Sequence, residues 1–241
     1  MKPLTIVIPM AGEGSRFAAA GFADPKPFID VAGQPMVARV LDNLSFPEAQ
    51  FVLIARRSHV ERAPGPVSRL EARGRVAFHL LDGLTEGTAC TVLAARSLMP
   101  AEAPLLIANS DQLVDGGIGA MIADARARDL DGSIMVFRSP PDPKWSYAAL
   151  DERGLVTRVA EKVPISEFAT VGIYYFRNVG LFSTAAEAMI AANDRVNNEF
   201  YTCPTYNYAI GRGARIGIWE IPPSAMHGLG TPEDLKAYLG K

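Results

Sequence analysis

A chain of 241 residues, 49% of them hydrophobic, can bury a sizeable core and suits one large α/β domain or two small ones. Its formal net charge of -2, with no run of like charges, argues against a broad electrostatic grip on nucleic acid or anionic lipid, so an anionic ligand must be met by local groups. Cys90 and Cys203 have neither a paired nor a zinc-binding spacing, which excludes a disulfide framework and points to a reducing, cytoplasmic setting.

The first apolar run, "LTIVIPM" (4–10), is interrupted by Pro9 and followed at once by Glu13 and Arg16, so it reads as a buried strand rather than a secretion signal. "FVLIA" (51–55), "VAFHLL" (76–81) and "PLLIANSD" (104–111) continue as strands, with helices predicted between them at about 35–44, 58–73 and 87–98. Pro64 and Pro66 make the 58–73 segment a loop over its first half and a short helix after it. Parallel neighbours need crossover connections, so this alternation predicts a parallel sheet covered on both faces, with ligands at the C-terminal ends of its strands. No segment approaches the ~20 apolar residues needed to cross a bilayer.

After Asp111 the rhythm changes. A helix near 117–129 leads to the strand "GSIMVFRS", a hairpin with its turn at "DERG", and "TVGIYYF", which together add antiparallel strands. Helices near 180–193 and 204–211 and the strand "RIGIWEI" precede a last helix, "TPEDLKAYL". There Thr231 is the N-cap, Pro232 takes the first helical position and Asp234 completes a capping box. The expected fold class is α/β, a three-layer α/β/α Rossmann-like mixed sheet that is mainly parallel. With no repeat or linker in evidence, one domain is expected over 1–241, its first half binding a ligand and its second half completing the pocket.

Gly12 and Gly14 directly follow the first strand, where glycine lets the backbone approach a ligand and aim N–H groups at it; a phosphate chain fits. A dinucleotide fingerprint would need glycine at Phe17, and no G-x-x-x-x-G-K-[ST] occurs. What distinguishes the loop is a pair of cations, Arg16 and Lys26. A guanidinium clamps two phosphate oxygens and an ammonium acts as a point charge, as phosphoryl chemistry requires. "LIANSDQL" ends a strand in Asn109, Ser110, Asp111 and Gln112, placing a carboxylate opposite the loop where Mg²⁺ could bridge phosphates. "VNNEFYTCPTYNYAIGRG" offers Asn198, Glu199, Tyr201, Tyr206 and Asn207 to a polar ligand, or packs its aromatics as an ordinary helix. His59 is assigned to the surface and His79 to the sheet. Neither cysteine has a base partner and no Ser-His-Asp set is visible, so direct displacement is expected rather than nucleophilic hydrolysis.

"MAGEGSRF" followed by "PKPFIDVAGQPMV" resembles the signature G-x-G-[ST]-R…P-K of the sugar-1-phosphate nucleotidyltransferases, most strongly in the first 45 residues. The resemblance implies a nucleotide-diphospho-sugar transferase-like fold, with 1–115 as the nucleotide-binding half and 116–241 as the acceptor-binding half. It implies that Ala11, Gly12, Gly14, Ser15 and Arg16 hold a nucleoside triphosphate, that Arg16 and Lys26 act in catalysis, and that Asp111 holds Mg²⁺. Glu86, Gly87 and Thr88 would meet the base, Gly87 allowing its close approach. Asn109, Lys162, Gly172, Glu199 and Asn207 would meet the acceptor, although Val163 separates Lys162 from Pro164 where relatives carry an E-K-P-like element.

The main departure from the family is at "MHGLGTPEDL", where Gly228 stands in place of a second metal carboxylate. Asp111 could then work with phosphates and water, Glu199 could substitute, or activity could be altered; His227 is better suited to hydrogen bonding or packing than to Mg²⁺. The implied reaction transfers a nucleoside monophosphate to a phosphorylated acceptor, a sugar 1-phosphate before others, making a precursor for capsule or cell-surface polysaccharide. The alternatives are a cytidylyltransferase for choline phosphate or a phosphoramidate, a glycosyltransferase whose D-x-D motif "NSDQ" lacks, and a nucleotide-binding regulatory protein without turnover. No nucleic acid or membrane partner is expected. The base, the acceptor and homo-oligomer formation stay open.

Overall fold

The computed structural model describes residues 2–240. The first half runs β1 (Thr5–Pro9), α1 (Ser15–Ala19), β2 (Asp30–Val31), β3 (Gln34–Pro35), α2 (Met36–Asn43), β4 (Gln50–Arg56), α3 (Arg57–Arg62), α4 (Pro64–Glu71), β5 (Val76–Leu81), α5 (Thr88–Ala94), β6 (Leu105–Ala108) and β7 (Gln112–Val114). The second runs α6 (Gly119–Ala127), β8 (Gly132–Arg138), β9 (Tyr147–Leu150), β10 (Val156–Ala160), β11 (Phe168–Phe176), α7 (Val179–Ala191), α8 (Thr205–Ile210), β12 (Ile216–Glu220), β13 (Met226–Gly228) and α9 (Pro232–Tyr238).

The main sheet is parallel through β5, β4, β1 and β6, then turns antiparallel at β11. β11 is the splice between the halves: its end pairs with β6, while its whole length reaches β8 and its start touches β9. Alternating side chains sort the core into two layers. Ile6, Ile8, Leu53 and Leu106 pack with Val37 of α2, Leu70 of α4 and Met121 of α6. Val7, Val52, Ile54, Leu105 and Ile107 pack on the opposite face with Val92 of α5, Phe182 of α7 and Tyr206 of α8. The expected three-layer, mainly parallel mixed sheet is the fold observed.

The 57–71 segment corrects one expectation. Its first half is not a loop: α3 begins directly after β4 and is separated from α4 only by Ala63, because Pro64 takes the first helical position of α4, where its missing N–H costs nothing. His59, expected at the surface, is only 5% exposed, because α3 packs back onto the sheet. Burial, helped by Arg56 and Arg62, pushes its pKa down to about 4. Folded His59 is therefore neutral at pH 5–6, whereas the unfolded chain takes up a proton below its ordinary value near 6.5. Its stabilising effect is whole above pH 6.5 and is lost as the pH falls toward 4. A His59→Leu variant should show a shallower loss of stability between those values in urea titrations; an unchanged slope would place the acid sensitivity elsewhere.

At the C-terminal end the Thr231 hydroxyl accepts the Asp234 N–H at 3.1 Å, as expected of an N-cap. The return bond of a capping box, from the Thr231 N–H to the Asp234 carboxylate, is not made, so Asp234 fills only half of that expectation. No helix among the described residues is long and apolar enough to cross a membrane.

Candidate active site

The strand order places a topological switch beside β1. The chain passes from β1 to β4 and β5 on one side, then returns to β6 on the other, so the loops after β1 and β6 open a crevice between them. The β1 loop ends at Gly14, the N-cap of α1, in a left-handed conformation with φ 65°. A side chain at Gly14 would put its Cβ 3.0 Å from Lys26 Cβ, so glycine serves both the turn and the seating of Lys26. Lys26 starts a short 3₁₀ turn anchored by buried Pro27 and Phe28. Its ammonium ion-pairs with Asp111, which directly follows the β6 strand end, the two side chains being 18% and 20% exposed. Arg16, on α1, is exposed and has no ion-pair partner among the described residues.

Three adjoining cavities meet here, and Pro9 and Thr88 line all of them. The first is bordered by Gly12, Gly14, Ser15, Arg16, Lys26 and Asp111. The second, sharing Arg16 and Asn109 with it, is bordered by Lys144, Trp145, Ser146, Glu161, Lys162, Gly172 and Tyr201. The third lies between the glycine loop, at Ala11 and Gly12, and the 84–88 loop. The structure thus gathers most of the residues singled out from sequence, from both halves of the chain, around one crevice.

Two of them stand otherwise than expected. Asn207 is not available to an acceptor, because its Oδ1 accepts the Val159 N–H at 2.8 Å and its Nδ2 donates to the Val159 carbonyl at 2.9 Å, tying α8 to β10. Glu199 borders the third cavity beside Gly87 and Thr88, rather than the second with Lys162. A tight turn at Asn197 and Asn198, bridged by Val196 and Glu199, holds Glu199 on the side of the third cavity.

Two of the glycines also make close approaches within the protein itself. At Gly87, with φ 131°, a Cβ would lie 2.5 Å from both the N and the O of Phe200, so the glycine permits a close approach to the protein's own backbone. Hydrogen bonds from Phe200 N to Glu86 O and from Ala89 N to Phe200 O, at 2.8 and 2.9 Å, lock that contact. The neighbouring Glu86 carboxylate is paired with Arg195. At Gly172, with φ 88°, a Cβ would lie 2.2 Å from Asn109 Nδ2; the absent side chain makes room for Asn109, which also donates to Gln112 at 3.1 Å. Gly172 coincides with the register shift that lets β11 serve two neighbours.

The second cavity is polar and tuned. Lys162 adopts φ 58° and donates to the Tyr201 hydroxyl at 2.6 Å. Burial works most strongly against its charge, but the Tyr201 bond and the Glu161 and Glu199 carboxylates outweigh it and raise the pKa. Glu161 is 8% exposed, and burial raises its pKa against the opposing Ser146 hydrogen bond. Lys144, Trp145 and Ser146 were missed in the sequence; the signal was "DPKW", a cation and an aromatic in the turn entering β9. Burial also pushes the Cys203 thiol up, which leaves it a poor nucleophile.

Mg²⁺ takes one or two protein carboxylates and completes its shell with phosphates and water. Among the described residues no three His, Cys, Asp or Glu side chains are grouped to hold a metal alone. Asp111 nevertheless fits a shared site: a cation, the Lys26 ammonium, is already seated on it, and Gly230 keeps the space beside it clear, since a Cβ there would lie 3.0 Å from Asp111 Oδ2.

A glycine turn, two cations and a carboxylate at a switch point define an α/β protein with a crevice suited to a polyanion. Residues 5–208 match the model of the Nucleotidyl transferase family, and the chain belongs to that family. It is 25% identical over 175 residues to the mannose-1-phosphate guanylyltransferase catalytic subunit beta of Drosophila pseudoobscura pseudoobscura, a match that covers 70% of this chain and 47% of the relative. The Dictyostelium discoideum protein of the same name is 23% identical over 180 residues, covering 73% and 49%. The chain spans about half the length of these relatives. The nucleoside-diphosphate-sugar pyrophosphorylase of Vibrio cholerae RC9 superposes with a TM-score of 0.85 and 26% identity over 98% of this chain and 100% of that one.

Proposed function

We propose that the protein transfers a nucleoside monophosphate from a nucleoside triphosphate to a sugar 1-phosphate and releases pyrophosphate. The observation that carries this reading is the convergence of Arg16, Lys26 and Asp111 on one crevice, with Lys162 in the adjoining cavity. The names of the relatives support a sugar 1-phosphate as acceptor.

An acceptor phosphate oxygen attacks the α-phosphorus, the bond from that phosphorus to the bridging oxygen breaks, and pyrophosphate leaves. The attacking oxygen is already ionised at neutral pH, so no general base is needed. Catalysis then consists of bringing two polyanions together and shielding their repulsion. Arg16 neutralises the β- and γ-phosphates, Lys26 the α-phosphate under attack, and Lys162 the incoming phosphate, with Tyr201 steadying its ammonium. Ala11, Gly12, Gly14 and Ser15 shape the triphosphate loop, while Glu86, Gly87 and Thr88 form the wall toward the base. Asp111 would hold Mg²⁺, which when bound supplies charge neutralisation between the phosphates. One continuous domain, working in a reducing cytoplasm on a surface-polysaccharide precursor, suits the shared sheet and the two free cysteines.

The test is pyrophosphate release with Mg²⁺ for CTP, UTP, dTTP, GTP and ATP, each against a panel of sugar 1-phosphates and small phosphorylated metabolites including choline phosphate. Release that requires one triphosphate and one sugar 1-phosphate is expected. Release with choline phosphate alone would overturn the acceptor class. Silence throughout, with a triphosphate still raising Tm, would mark a nucleotide binder without turnover.

A further inference from the structure

We propose that Asp234 supplies a second protein carboxylate to the metal site, from the first turn of α9; this rests on the reading of Asp111 as a metal ligand. The chain leaves β13 through Leu229 and Gly230 and enters α9 at Pro232, passing directly beside Asp111. Gly230 leaves a space that both carboxylates border, and Gly228 leaves room beside Asp234. A Cβ at Gly230 would lie 3.0 Å from Asp111 Oδ2 and 3.8 Å from Asp234 Oδ2, so one methyl-sized volume would touch both. A Cβ at Gly228 would lie 3.8 Å from Asp234 Cγ: the Asp234 carboxylate stands where a short acidic side chain on β13 would reach.

The placement is fixed from both sides. Leu229 N donates to the Asp111 carbonyl at 2.7 Å, and β13 pairs with β7, which follows Asp111. Thr231 caps the Asp234 N–H and so sets the first turn of α9. The partners of the two carboxylates differ. Asp111 has the Lys26 ammonium, whereas Asp234 makes no ion pair or hydrogen bond through its carboxylate among the described residues. The Lys26 ammonium serves Asp111 alone, so the Asp234 carboxylate stands unpaired beside the space that Gly230 leaves. A carboxylate in a first helical turn is favoured by the helix dipole, but that preference does not require it to face Asp111. A hard divalent cation held by two carboxylates and substrate oxygens accounts for both.

The test reads metal binding without any nucleotide. Mn²⁺ alone is titrated into the protein and free Mn²⁺ is followed by electron paramagnetic resonance. Asp234→Asn, which leaves the backbone cap intact, should weaken Mn²⁺ binding at least about tenfold, since even residues behind a metal ligand cost 10- to 100-fold. Adding Gly228→Asp to Asp234→Asn should restore it, because the new Cβ enters ordinary contact space and returns a carboxylate to the same place. Wild-type Mn²⁺ affinity in Asp234→Asn, alongside its loss in Asp111→Asn, would overturn the assignment. Unchanged affinity in Asp111→Asn as well would overturn the metal reading of Asp111, and this assignment with it.

Discussion

Lys26→Ala should lower the turnover of pyrophosphate release by about 10²- to 10³-fold, the loss seen when one preorganised donor to a developing charge is removed. Triphosphate binding should be partly retained, because the proposed mechanism leaves Arg16 and the glycine loop to meet the β- and γ-phosphates. The ion pair with Asp111 sharpens the expectation. With both groups about one-fifth exposed, Lys26 is held in place before substrate arrives, so the proposed mechanism brings its charge to the α-phosphate at little cost in side-chain ordering. Lys26→Arg should not rescue turnover, since a broad planar guanidinium replaces the compact point charge that is seated on Asp111. The check is steady-state kcat and KM for release, alongside calorimetric triphosphate binding. Near-normal kcat in Lys26→Ala would remove Lys26 from the mechanism.

Gly87→Ala should be among the most damaging single methyl additions in the chain. The added carbon would meet the Phe200 backbone N and O at 2.5 Å, and the backbone conformation, φ 131° and ψ 174°, lies in a region open essentially to glycine alone. Backbone strain of about 1–3 kcal/mol and overpacking of a similar size together predict a loss of ~3 kcal/mol or more. The clash cannot be relieved by a rotamer, because the obstacle is main chain. Separating the two segments of this contact should also open the wall of the third cavity and raise KM for the triphosphate. Gly12→Ala is the control: nothing lies within 4 Å of its Cβ, so its urea midpoint should stay near that of the wild type. Equal midpoints for the two variants would show that the 86–89 loop shifts without cost.

The sequence was most informative where cause and effect are close along the chain. The glycine loop, Arg16 and Lys26 fall within one stretch of the sequence, and the left-handed Gly14 is what such a turn requires. Thr231 was legible as a cap because its partner is three residues away. Pro64 was read as a breaker when it is a starter, a distinction that depends on whether the preceding residues pack as α3. The acceptor side was harder to read. Glu199 and Tyr201 are two residues apart yet border different cavities, and the Asn207 amide is committed to a backbone 48 residues distant.

Local patterns along the chain were enough for the α/β class, the succession of strands and helices, a ligand site at the C-terminal ends of the strands, and the cationic loop after the first of them; the switch beside β1 came from the spatial order of the strands. The local patterns rest on hydrophobic period and turn chemistry, which act over a few residues. Long-range packing brings Lys26 to Asp111 across 85 residues, has Gly87 and Gly172 make room for the protein's own groups, and sets Asp111 and Asp234 on the same space beside Gly230. Such meetings depend on strand register and helix packing, where a shift of one residue sends a side chain to the opposite face.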